Sequence, residues 1–88
     1  MVTGPTKIPE TVTDMTQTFK DCKNLTTVYI SNTMETIDEY VFQNCTNLQQ
    51  IIFDGIKSEW SSITKKYKWN DGSSSFEVVC TDGSLTVS

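Results

Sequence analysis

The sequence predicts an α/β solenoid built of short parallel strands, one per coil of 22–23 residues, with repeats over residues 8–53 and a helix and β-hairpin cap over residues 54–88. Three observations predict it. Phe19-Lys20-Asp21-Cys22-Lys23-Asn24-Leu25 recurs as Phe42-Gln43-Asn44-Cys45-Thr46-Asn47-Leu48, with Phe, Cys, Asn and Leu each repeating at an offset of 23. Each copy then runs into Leu-x-x-apolar-x-apolar: Leu25, Val28 and Ile30 in one, Leu48, Ile51 and Phe53 in the other. After Asp54-Gly55 the pattern breaks, and helical spacing followed by two alternating β runs takes its place.

Each element follows from local spacing. Ile8, Val12 and Met15 correspond to Ile30, Met34 and Ile37 at an offset of 22, because the stretch from Ile37 to Phe42 is one residue longer than that from Met15 to Phe19. Alternation along a strand turns Val28, Ile30, Ile51 and Phe53 to one face, and Thr27, Tyr29, Gln50 and Ile52 to the other. Stacking would place Ile30 beside Phe53, Leu25 beside Leu48 and Cys22 beside Cys45. Short helical or irregular arcs are expected between strands, with Glu35, Asp38 and Glu39 at the start of the second one, suiting a helix dipole. In the cap, Ser58 is the expected N-cap of a helix over residues 59–66, with Trp60, Ile63 and Tyr67 on one face. Trp69 precedes a loop, Asn70-Asp71-Gly72-Ser73-Ser74-Ser75. The runs beginning at Phe76 and ending at Val87 flank Asp82-Gly83, a two-residue hairpin signal. Phe76, 23 residues after Phe53, is placed on the next rung.

Composition narrows function. At 88 residues the chain is a single domain with a small core. Ser and Thr fill 23 positions, and Arg, His and Ala are missing. A net charge of -4, with seven scattered Lys, argues against nucleic acid as a partner. Without His the chain lacks the usual general base near neutral pH and the commonest metal ligand, so no enzyme, cofactor or metal is expected. Apolar positions are nowhere continuous enough to span a bilayer, and residues 1–7 hold no signal-peptide core, so neither membrane insertion nor an export address is expected within the chain.

The doubled Phe-x-x-Cys-x-Asn-Leu element, with the Leu-x-x-apolar-x-apolar strand and Ile8-Pro9, resembles the BspA-like (Treponema-type) branch of the leucine-rich-repeat family. The match covers roughly residues 8 to 53 and departs from the family pattern at Ser31, where Pro is usual, and in the short arc after Met15. The resemblance implies a bacterial cell-surface or extracellular protein that binds or adheres to a protein or glycan, host matrix included. Thr27, Tyr29, Gln50 and Ile52 are the candidate contact residues on the outward strand face. The alternative is a purely structural end cap of a longer array, with the ligand bound elsewhere.

Other motifs carry less. Coil-to-coil spacing would allow a disulfide between Cys22 and Cys45, whereas the resemblance implies a column of buried, reduced thiols; metal lacks any Cys-x-x-Cys pair. Cys80 is expected to pack in the hairpin. Asn24-Leu25-Thr26 and Asn44-Cys45-Thr46 match glycosylation acceptors, but Asn24 and Asn47 are expected to satisfy backbone groups in the turns. Asn70-Asp71-Gly72 lacks the later acidic residue of a calcium loop.

Overall fold

A computed structural model describes residues 4–16 and 19–87. Gln17 and Thr18, in the short arc after Met15, lie outside the described residues, as do residues 1–3 and 88. Three coils stack into a body 28 × 22 × 22 Å. Strands β1 (Gly4–Lys7), β3 (Leu25–Ser31), β5 (Gln50–Asp54) and β7 (Phe76–Cys80) pair in parallel, and β8 (Gly83–Val87) closes that sheet antiparallel to β7. The expected register holds between β3 and β5, where Val28 lies beside Ile51 and Ile30 beside Phe53. On the back of each coil a two-residue strand forms a second parallel sheet: β2 (Asp14–Met15), β4 (Thr36–Ile37) and β6 (Thr64–Lys65).

That second sheet corrects the arcs. No helix starts at Glu35, Asp38 and Glu39. The Glu35 amide donates to Thr13 O at 2.7 Å and Thr36 enters β4, since neighbouring coils satisfy the backbone better than a turn of isolated helix does. The single helix among the described residues, α1, spans Lys57–Ser62 and is shorter than expected. Thr64 and Lys66 donate to Glu35 O and Ile37 O, so the chain leaves the helix to extend the back sheet. Ser58 is inside α1. Asp82 of the hairpin turn accepts from the Lys57 amide at 2.9 Å, and the Glu59 carboxylate accepts from the Ile56 amide at 3.0 Å. Tyr67 falls beyond the helix and is exposed, with its ring edge-on to Tyr40.

The third coil is longer than the first two. Gln50 lies beside Glu77 and Thr36 beside Thr64, so the step is 27 to 28 residues, and the 23-residue spacing of Phe53 and Phe76 does not mark a shared rung. Loop residues of the hairpin are Thr81 and Asp82, one position earlier than expected, with Cys80 opposite Gly83. Leu25, Leu48, Cys22 and Cys45 are buried, and none of the three cysteines is in a disulfide. Phe19 and Phe42 stack face to face at 5.7 Å. Trp60 is buried and Trp69 half-buried, the latter edge-on to Phe42, Trp60 and Phe76, so the two indoles close the end of the core. The serine-rich loop is anchored by the Ser74 hydroxyl, which donates to Leu48 O at 2.6 Å. The Asn47 amide donates to Lys23 O at 2.7 Å, as expected of a turn asparagine.

Candidate functional site: the outer face of the long sheet

Two outward rows cross the long sheet. In one, Pro5, Thr27, Gln50, Glu77 and Thr86 are neighbours; in the other, Lys7, Tyr29, Ile52, Val79 and Ser84. The sequence leaves Glu77 and Val79 as alternatives for the column that continues Tyr29 and Ile52. Val79 takes it, because the longer third coil brings residue 79 beside Ile52. The added length lies in the arc that α1 occupies, where Ile51 to Thr64 is 13 residues against 8 from Val28 to Thr36.

The second row ends in a groove of about 380 Å³ at the C-terminal ends of the parallel strands. Tyr29, Ile52 and Val79 form its floor; Lys7, Glu10, Ser31, Asp54 and Thr81 supply its polar border. Tyr29 is 44% exposed, and Ile52 and Val79 are half-buried. Of the four candidate contact residues, Tyr29 and Ile52 line the groove, while Thr27 and Gln50 lie on the adjoining row outside it. Glu10 is not apparent from periodicity because it follows the strand end at Ile8-Pro9 and reaches the groove only through the turn after β1.

The groove contains no nucleophile paired with a base, and Cys80 at its margin is a buried thiol whose pKa is pushed up by burial. Among the described residues no group of three or more His, Cys, Asp or Glu is arranged to hold a metal ion, and no helix is long and apolar enough to cross a membrane. What the arrangement offers is contact area: a small apolar floor with a charged border on a rigid sheet.

Parallel strands at one per coil, an inward apolar column and a helix-and-hairpin end define the chain as a repeat solenoid. A family model of the BspA-type leucine-rich repeat region (6 copies) matches residues 5–71, and the chain belongs to that family. Comparisons with curated proteins and with solved structures gave no match. The matched span reaches past the two repeats evident in the sequence to include α1 and the third coil as far as residue 71, short of β7. Solenoids of this kind are typically binding scaffolds, and the family is typically one of surface-associated bacterial proteins.

Proposed function

We propose that the chain is a non-enzymatic binding or adhesion module of a bacterial surface protein, contacting a protein or glycan partner, host matrix included, through Thr27, Tyr29, Gln50 and Ile52 and the groove beside them. The observation that carries this reading is the alignment of Tyr29, Ile52 and Val79 on consecutive rungs, which makes an apolar strip open to solvent on an otherwise polar face. An exposed tyrosine is the kind of anchor that carries a large share of binding energy at protein interfaces, and the aliphatic neighbours exclude water around it. The structural end-cap reading draws support from β8, α1 and the two tryptophans, which together cover the last coil. The two readings part under mutation. In the intact protein, Tyr29→Ala and Ile52→Ser are expected to weaken adhesion to immobilised matrix proteins or glycans by about tenfold or more, with little change in thermal stability. Unchanged adhesion by a folded variant would leave the chain as an end cap.

A further inference from the structure

Resting on that strand-face reading, we infer that the groove selects a peptide segment carrying an aliphatic or aromatic side chain next to a basic one. Its floor spans three rungs, Tyr29, Ile52 and Val79, each about 4.8 Å from the next, which suits one anchor side chain and its immediate neighbours. A volume of 380 Å³ lies near the low end for small-ligand sites and matches one side chain with its neighbours. The border then fixes the charge. Glu10 and Asp54 both line it, against the one cation Lys7, and among the described residues the sole salt bridge, Lys66 to Asp38, involves neither carboxylate.

Asp54 terminates β5, the middle strand of the sheet, two residues after the row residue Ile52, so a carboxylate borders the centre of the groove floor. Across a chain of net charge -4, that border attracts a cationic segment and repels an acidic one. A neutral glycan could stack on Tyr29 and donate hydroxyls to the carboxylates, but it would not answer the net negative charge of the border.

The test is amide chemical-shift titration of the 15N-labelled 88-residue chain with three end-blocked pentapeptides, Gly-Lys-Leu-Lys-Gly, Gly-Glu-Leu-Glu-Gly and Gly-Lys-Gly-Lys-Gly, and with maltotetraose. The first peptide is expected to shift the amides of Tyr29, Ile52, Asp54 and Val79 in a saturable way, and to bind roughly tenfold more tightly than the other two. The double variant E10Q/D54N, with its dispersed amide spectrum retained, is expected to lose about threefold to tenfold in affinity for that peptide, and wild-type binding is expected to weaken with added salt. Equal responses to all three peptides, or undiminished binding by E10Q/D54N, would overturn the inference. Maltotetraose moving the groove amides where the basic peptide does not would also overturn it while leaving the strand face as a binding surface. If no probe moves these amides yet Tyr29→Ala still abolishes adhesion of the intact protein, this inference alone falls.

Discussion

Cys45 is fully buried, and its thiol donates to Phe19 O across the coil boundary at 3.0 Å. Burial pushes its pKa up to about 11; a hydrogen bond from the Cys22 backbone works against that rise, and the charges of Cys22 and Asp21 add to it. An unfolded thiol titrates near 9, so the folded chain holds this proton more tightly. Its contribution to stability is therefore complete below about pH 9 and is lost as pH rises towards 11, by about 2–3 kcal/mol in all. Denaturant midpoints should fall across that window, and Cys45→Ala should flatten the fall. Lys65 works in the opposite sense. Burial lowers its pKa, although its ammonium donates to Trp60 O at 2.8 Å and lies 4.6 Å from the Trp60 ring centroid. A depressed lysine contributes stability that grows as pH rises through its folded pKa, so it partly offsets the thiol. The alkaline loss should be steeper in Lys65→Met, measured in the same series.

At the scale of elements, α1 has six residues and no independent stability, so its place depends on what it covers. Trp60 meets Phe53 edge-on at 5.5 Å and Trp69 at 6.3 Å, with 4% of its surface exposed. Trp60→Ala should cost about 3–5 kcal/mol in equilibrium unfolding; a cost below roughly 1 kcal/mol would mean that the indole does not seal the core. The turns of successive coils share another requirement. Asp21, Asn44 and Gly72 occupy the left-handed region at φ 62°, 61° and 73°, one per coil, and the Asn44 amide donates to Asp21 at 2.7 Å. In the third coil a Cβ would run into the Asn44 carboxamide, which accounts for glycine there. Gly72→Ala should destabilise by about 1–2 kcal/mol, whereas Asn44→Gly should cost little beyond the lost hydrogen bond.

Over the whole molecule, the two ends differ. The last parallel strand, β7, is covered by β8, whose half-buried Leu85 and Val87 pack on the core and whose turn residue Asp82 caps α1. A chain ending at Thr81 should lose about 2–4 kcal/mol and associate with rising concentration, as sedimentation would report, because β7 becomes an open edge. The two regular coils were legible from residues, since a Phe, Cys and Leu that recur every 23 positions can be buried together only by stacking. Less legible was the back sheet, whose two-residue strands Asp14–Met15, Thr36–Ile37 and Thr64–Lys65 are too short for alternation to register. The same back sheet ended α1 early and released Tyr67 to solvent. At the candidate site, Tyr29 and Ile52 could be read from alternation, but Val79, Lys7 and Glu10 depend on coil lengths and a turn that no periodicity encodes.

The packing of the two indoles also has an optical consequence. Trp60 and Trp69 are the two tryptophans of the chain, they touch each other, and both belong to the closing segment. Indole emission therefore reports on that segment, while in a Cys80→Ser variant Cys22 and Cys45 report on the earlier coils through their reaction with a thiol reagent. Two indoles and two thiols thus watch the closing segment and the earlier coils of one stack. Whether it melts as a single unit or frays from its closed end can be read without introducing any label.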